Sequence, residues 1–584
     1  MKTLVNWREW DESAFLDARA QGKPILMGIS AVWCHWCHVM DRGEAGHPVH
    51  TGVYNNPEIA ALINARFIPI RVDNDLRPDI NARYNQGGWP TTCFLTPDGQ
   101  VIYGGTYFSP GQMRSLLAQI EQYWRANGGK LMAEAPDLDV SEPAQAGALD
   151  AEQILSDTVN AIARGFDTKY GGLGDSQKFP MAEAWEALLL AHHQTDERKW
   201  LDMTVQTLIA MGTRGMYDNT AGGWFRYSTT PDWSVPHFEK MLEDHARLLP
   251  VYAHAIQLLR AQPDGAAQAE TLAKVVTSAV GYLTETLLRD EAGFTWFAGS
   301  QDADEAYYLL SRDERAAREA PFIDWRLYAE WNALMVTALF TAAAVLDRPD
   351  WATLARRVLA TLEQLCVNAD GSVTRSIAFD AAGAPQPATL RGSLGDQSAV
   401  IRAMLEAGRA EAARPLIEFA RRALAAEGGG FHDAPADPGA LGLLKVRLRP
   451  IFENAAMAEA LLRAAHLLTD AAGLAEEARA ALALQAEGYK RYRDHAGPYA
   501  LVAWRASREP EEYVVLGSPE QTAPFLRAAS QRYHPWRILR ALDPADPAAL
   551  AVIEARAFPH ARLPVAFVCL GTVCGAPVFE VGVV

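Results

Sequence analysis

Cysteine is scarce in this chain, with six among 584 residues. That is too few for a disulfide-stapled scaffold, so a closely spaced pair reads as redox-active rather than structural. Positive charge is also short. Lys and Arg number 54 against 71 Asp and Glu, a formal net charge of −17, and the pI is near 5.4. This balance disfavours nucleic acid and anionic membrane surfaces as main partners. No uninterrupted apolar run is long enough to span a bilayer, and Met1 to Ser13 lacks an apolar signal segment, so a soluble cytoplasmic protein is expected. What is present is globular: 49% hydrophobic and 21% charged residues, in a chain long enough for two or three domains.

The cysteines that matter most lie in Trp33-Cys34-His35-Trp36-Cys37-His38, after the apolar run Pro24 to Ile29. This is a C-x-x-C pair placed where a predicted strand gives way to a predicted helix. Unpaired N–H groups and the macrodipole at a helix start favour a thiolate, so Cys34, the first and more exposed, is the expected nucleophile and Cys37 the resolving thiol. His35 and His38 add a cation beside it that would raise the thiolate population. Ordinary buried thiols and a zinc site are the competing readings. Adjacent Cys-His pairs converge poorly on one tetrahedral ion, which makes zinc the weakest of the three.

Along the chain, helical spacing over Trp7 to Ala20 ends at Gly22-Lys23-Pro24, and a strand follows at Ile25 to Ile29. After the CHWCH turn and its helix come a strand at Phe67 to Asp73, a short segment at Asn81 to Tyr84, strands at Thr92 to Leu95 and Val101 to Tyr103, and a helix from about Gln112 to Trp124. This β-α-β-α-β-β-α order resembles the thioredoxin fold. That likeness implies that Pro90 is the cis-proline facing the dithiol and shaping the surface where a partner peptide lies. It also exposes a departure: the buried acid that helps deprotonate the resolving cysteine in thioredoxins is here Gly28, so that either exchange is slow or His35 or His38 takes over as base.

Lys130 to Ala148 is rich in Pro, Ala and acids and reads as a linker. Beyond it a loose turn signature, Asp or Asn then Gly then an aromatic, recurs at Asp167-Gly172, Asp218-Phe225, Asp290-Phe294, Asp370-Gly371, Gly428-Asp433 and Asp494-Tyr499. Six turns, each followed by a stretch long enough for a helical hairpin, predict an (α/α)6 toroid. The last part alternates strands at Tyr513 to Gly517, Trp536 to Leu542 and Pro564 to Leu570 with a helix at Gln521 to Ala529, a small α/β lobe. Its Cys569 and Cys574 are read as buried thiols, with a second exchanging dithiol as the alternative. The fold class is therefore multidomain, α/β plus all-α: thioredoxin-like 1–129, linker 130–149, toroid 150–508 and C-terminal lobe 509–584.

The chain resembles the spermatogenesis-associated thioredoxin-like family. The likeness is carried by Cys34-His35-Trp36-Cys37-His38-Val39-Met40, Gln86-Gly87-Gly88-Trp89-Pro90, Phe94-Leu95-Thr96-Pro97-Asp98-Gly99, Lys178-Phe179-Pro180, Gly222 to Ser228, Pro236 to Leu242 and Asp302-Ala303-Asp304. The resemblance implies a thioredoxin-like domain joined to a toroid similar to six-hairpin glycosidases and sugar epimerases. Gly43 to Asn56, with His47, Pro48 and His50, departs from the family pattern as an inserted loop.

Two sites follow. The first is the dithiol site of Cys34, Cys37, His35, His38 and Pro90, which needs no cofactor beyond its own disulfide and takes a protein thiol or disulfide, or a small-molecule thiol, as partner. The second is a toroid cavity for a carbohydrate ligand, with His237, Glu239, Asp302 and Asp304 foremost and Lys240, Arg226, Tyr227, Asn332, Asp396 and Glu453 around them. Glycoside hydrolysis needs one protonated and one ionised carboxyl, and epimerisation needs acid and base groups on either face of a carbon. The bland reading is that acids and Asn at helix starts are N-caps. Thiol–disulfide exchange is the favoured function; a carbohydrate-active enzyme and a non-enzymatic redox scaffold are the alternatives.

Overall fold

The computed structural model describes residues 4–43, 51–133 and 146–583. The chain divides into two compact units, Met1–Pro143 with Ala434–Leu448, and Ala144–Asp433 with Arg449–Val584. Much of the inserted loop, including His47, Pro48 and His50, and most of the linker lie outside the described residues.

In the first unit Asp11 caps α1 (Glu12–Gln21) by accepting the Ala14 N–H at 2.8 Å, and Gly22 ends it in the left-handed conformation at φ 60°. The central sheet has the order β2-β1-β3-β4. β1 (Ile25–Ser30) pairs parallel with β2 (Ile68–Asp73) and antiparallel with β3 (Thr91–Leu95), which pairs with β4 (Val101–Gly105). Helices α2 (His35–Arg42), α3 (Pro57–Arg66), α4 (Pro78–Tyr84) and α5 (Pro110–Ala133) complete it. Alternate residues of β1 feed opposite faces. Ile25, Met27 and Ile29 join Phe15, Ile80 and Tyr84 in one apolar cluster, while Leu26 joins Met40, Ile59, Phe94 and Leu117 in the other.

Three features differ from expectation. Helix α3 was not foreseen, although Asn56 caps it, accepting from Glu58 and Ile59 N–H at 3.1 and 3.2 Å. Helix α5 continues past Trp124 to Ala133. The third is the segment Ala434–Leu448, which carries Leu441, Leu443 and Leu444 onto the cluster around Trp10 and Tyr84. Tyr84 Oη donates to the Gly99 carbonyl and accepts from the Leu443 N–H, both at 2.8 Å. Arg83 Nε donates to the Leu443 and Val446 carbonyls at 3.0 Å. Gly99, at φ 85°, is required here, because a Cβ on it would lie 2.5 Å from Gly442 Cα.

The second unit holds paired helices. Those packed side by side around the middle are α7 (Ala182–Thr195), α9 (Leu242–Arg260), α11 (Ala329–Leu346), α13 (Leu394–Glu406), α15 (Ile451–Leu467) and α17 (Gly497–Ala506). Each contacts the next, and α17 returns to α7, which closes a ring. Outside them lie α6 (Ala151–Gly165), α8 (Arg198–Thr213), α10 (Ala266–Tyr282), α12 (Pro349–Leu365), α14 (Ala410–Ala423) and α16 (Leu474–Ala483). This is an (α/α)6 toroid. Five of the six Asp/Gly turns of the sequence fall in the connections from an outer to an inner helix, and the sixth, Asp494–Tyr499, runs into the first turn of α17; Asp167, Asp218 and Asp370 accept backbone N–H bonds within their turns. Helix α11 is the most apolar of the inner helices by composition, although Glu330 and Asn332 interrupt its apolar run. It is 18 residues long and, by length and composition, apolar enough to cross a membrane, with two thirds of that stretch buried in the ring.

The C-terminal lobe is a four-stranded sheet formed by β5 (Glu511–Leu516), β6 (Arg537–Leu542), β7 (Val565–Leu570) and β8 (Val573–Cys574), in the order β6-β5-β7-β8. Helices α18 (Pro519–Ser530) and α19 (Pro547–Ala555) flank it. Cys569 and Cys574, expected as buried thiols, are joined in a disulfide. They sit opposite each other in the β7–β8 ladder, so pairing of the strands alone brings the sulfurs together.

Candidate functional site

Cys34 is the N-cap of α2, and its Sγ accepts the Cys37 N–H at 3.2 Å. The sulfur therefore lies where the helix presents its unpaired donors, which favours negative charge on it. Cys34 and Cys37 are joined in a disulfide, with Cα atoms 5.2 Å apart. Both are buried, at 3% and 1% exposure, so the expected contrast between them is slight; Trp36, at 38%, is the exposed member of the motif. The Trp89–Pro90 peptide is cis. Trp33 and Trp89 meet edge to face at 5.6 Å, which brings the dithiol turn and the Pro90 loop together. Trp33 Nε1 donates to Asp75 at 2.8 Å, and Trp36 packs on Tyr107.

His38 does not supply the expected cation. Burial, with Arg42 beside it, pushes its imidazole down to about 4, so it is neutral at neutral pH. The site of the missing acid also has a physical explanation. A Cβ on Gly28 would lie in ordinary contact, 3.5 Å from Trp7, 3.7 Å from Arg71 Cδ and 3.8 Å from Tyr54 Oη, so these three side chains line the place where the acid would stand. Arg71 crosses it to reach Asp41 on α2 and Ser30.

In the toroid, the first turns of successive inner helices carry Glu183, Glu243 with Asp244, Glu330, Asp396 and Glu453. Arg247 bonds Glu183 at 2.6 Å and Glu243 at 2.9 Å, and Arg375 reaches Glu330 at 2.8 Å and Asp396 at 3.0 Å. These cations do not serve all the acids alike. Glu243, despite burial, is held low by Arg247 and Arg226. Asp244, one residue on, is raised to about 7 by burial and by Glu243 and Glu239, and its Oδ2 is buried without a hydrogen-bond partner among the described residues. Glu453 is also raised to about 7, by burial and by Glu330 and Asp433. Adjacent carboxyls held in opposite protonation states are the arrangement acid–base chemistry uses.

Among the sequence candidates, Arg226, Tyr227, His237, Glu239, Asp396 and Glu453 belong to this group. His237 Nδ1 bonds Glu239, and Tyr227 stacks between His237 and Phe179. The others are elsewhere. Lys240 is buried and bonds Asp218 at 2.7 Å and the Gly222 carbonyl at 2.8 Å, with Arg315 on the same carboxylate. Asn332 is occupied by the Phe297 N–H and carbonyl and the Tyr328 carbonyl. Asp304 caps the short helix Glu305–Tyr308, and Asp302 accepts from the Ala303 N–H. Asp244, on the first turn of α9 just after His237, Glu239 and Lys240, is a polar candidate of the sequence that also belongs to this group, beside Glu243.

Residues 1–140 match the family model Thioredox_DsbH, described as "Protein of unknown function, DUF255". The chain is 31% identical over 326 residues to spermatogenesis-associated protein 20 of Mus musculus, covering 51% of this chain and 39% of that protein. It is 30% identical over 342 residues to the uncharacterized protein B0495.5 of Caenorhabditis elegans, covering 55% and 44%. The matched stretch thus spans about two fifths of these relatives' length. Among solved structures, a sugar epimerase from a ruminal bacterium is similar at TM-score 0.44 and 13% identity, covering 59% of this chain and 86% of that one. The unsaturated glucuronyl hydrolase of Bacillus sp. GL1 is similar at TM-score 0.43 and 14% identity, covering 61% and 97%. The first 140 residues are therefore a thioredoxin-like domain of the DUF255 type, in a chain similar over about half its length to spermatogenesis-associated protein 20.

Proposed function

We propose that the first unit is a thiol–disulfide oxidoreductase acting on a protein disulfide or a small-molecule disulfide. The observation that carries this reading is Cys34 at the helix cap, its sulfur accepting the Cys37 N–H. In the reduced form the Cys34 thiolate attacks one sulfur of the substrate disulfide and expels the other as a thiolate. Cys37, losing its proton, then attacks Cys34 Sγ, releases the reduced substrate and leaves the Cys34–Cys37 disulfide. The test is turnover of a disulfide peptide with dithiothreitol as reductant. Cys34→Ser is expected to abolish turnover and Cys37→Ser to accumulate a mixed disulfide on Cys34; full turnover by Cys34→Ser would overturn the reading.

A second reading is favoured by the Glu243–Asp244 pair: the toroid acts on a hydroxyl-rich ligand of the carbohydrate class, with Asp244 as general acid. Glu243 and the aromatic face of Tyr227 would orient the ligand. Calorimetric titration with mono- and disaccharides, and loss of any turnover in Asp244→Asn, test it.

A further inference from the structure

The sheet of the C-terminal lobe ends in the β7–β8 hairpin, where Cys569 and Cys574 face each other and are linked. The two sulfurs have different surroundings. Cys569 is buried in the cluster of Val514, Ile553, Phe558 and Phe567. Cys574 is half-buried on β8, at the sheet edge, and beside the turn Leu570 and Val573 are 63% and 72% exposed.

The bond is not what holds the hairpin. The Gly575 N–H donates to the Val568 carbonyl at 2.9 Å, and Ala566 and Val578 exchange two further bonds at 2.8 and 2.9 Å. A cross-link constrains the unfolded chain more as its loop lengthens, and this one closes a very short loop whose ends the ladder already pairs. A bond with one end on a half-buried residue of the edge strand, packed on the margin of the apolar cluster, and with little left to stabilise, suits chemistry better than scaffolding.

We propose that Cys569–Cys574 is a second redox-active pair, exchanging with an external dithiol or its disulfide independently of Cys34–Cys37. The inference does not rest on the function proposed for that first pair. In reduction a thiolate of the dithiol attacks Cys574 Sγ, forming a mixed disulfide and breaking the Cys569–Cys574 bond. Cys569 leaves as a thiolate and takes a proton. The second thiol of the reductant, losing its proton, then attacks its own sulfur in the mixed disulfide and releases Cys574, which is protonated in turn. Two electrons and two protons have passed to the pair, and the reductant departs as a disulfide. Oxidation runs the same steps backward: the Cys574 thiolate attacks the oxidised dithiol, and Cys569, losing its proton, then attacks Cys574 Sγ and releases the reduced dithiol.

The test uses the full chain, equilibrated with graded ratios of reduced and oxidised dithiothreitol, pulsed with a maleimide under native conditions and mapped by peptide mass. Cys574 is expected to gain label as the ratio rises and to lose it when oxidised dithiothreitol is restored. Cys93 and Cys366, both free and fully buried, remain unlabelled throughout and report an intact fold. The Cys34→Ser/Cys37→Ser variant is expected to show the same behaviour. The proposal is overturned if Cys574 labels only when Cys93 and Cys366 do, if no Cys569–Cys574 disulfide returns on oxidation, or if the double variant no longer exchanges.

Discussion

Arg71 on β2 grips Asp41 on α2 through two parallel hydrogen bonds of 2.8 Å, one helical turn beyond Cys37. Asp41 is nearly fully buried, with that guanidinium as its ion-pair partner. Removing one partner of such a pair leaves an uncompensated charge. Arg71→Met is expected to lower stability by about 3 kcal/mol, read by urea unfolding. Adding Asp41→Asn should recover part of the loss, giving a clear coupling energy in the double-mutant cycle.

His245 is held neutral by its neighbours. Nδ1–H donates to the Met241 carbonyl at 2.7 Å, and Nε2 accepts the Trp224 N–H at 3.0 Å. Burial, and Lys240 beside it, push it down to about 4. The unfolded chain takes up a proton near 6.5, so this contribution to stability is intact above that pH and falls away between about 6.5 and about 4, by roughly 3 kcal/mol in all. Histidine-selective NMR should show the His245 and His38 rings unchanged from pH 8 to 5 while exposed rings titrate.

Asp244 behaves in the opposite sense. Its carboxyl keeps a proton to about 7, whereas the unfolded chain ionises near 4. Stability therefore falls as pH rises from about 4 to 7, by up to roughly 4 kcal/mol. Asp244→Asn is expected to raise the melting temperature at pH 8 and to leave it unchanged at pH 3, below both ionisations. A stabilising substitution at an acid is what a site retained for chemistry predicts.

Tyr84 joins two carbonyl and amide groups that its own helix does not own. Tyr84→Phe removes the hydroxyl that bonds the Leu443 N–H and the Gly99 carbonyl, both at 2.8 Å. A cost of about 1–3 kcal/mol follows. Limited proteolysis should cut within 434–448 about tenfold faster than in the parent.

Local signals carried much of this fold into view. The strand before Cys34, the helix it caps and the six Asp/Gly turns each rest on nearby residues, through turn chemistry and caps that operate over three or four positions. The segment 434–448 was invisible for the converse reason: Leu443 meets Tyr84 across some 360 positions of chain. Cys569 and Cys574 were misjudged because their pairing depends on a hairpin register rather than on a motif. In the toroid, Asp304 and Asn332 look like active-site residues by type and position, yet one is a cap and the other is consumed by backbone. Asp244 stands out only once Glu243, Glu239 and Arg226 are known to surround it.

The segment Ala434–Leu448 makes the boundary at the linker misleading for anyone dissecting the gene. A clone ending near residue 143 would encode every strand of the N-terminal sheet and still lack Leu441, Leu443 and Leu444, which close one of its two apolar clusters. The complementary clone would carry those leucines with nothing to cover them. Separately expressed halves are thus each incomplete in their own interiors, and a thioredoxin-like fragment worth assaying has to include a covalently grafted copy of that fifteen-residue piece.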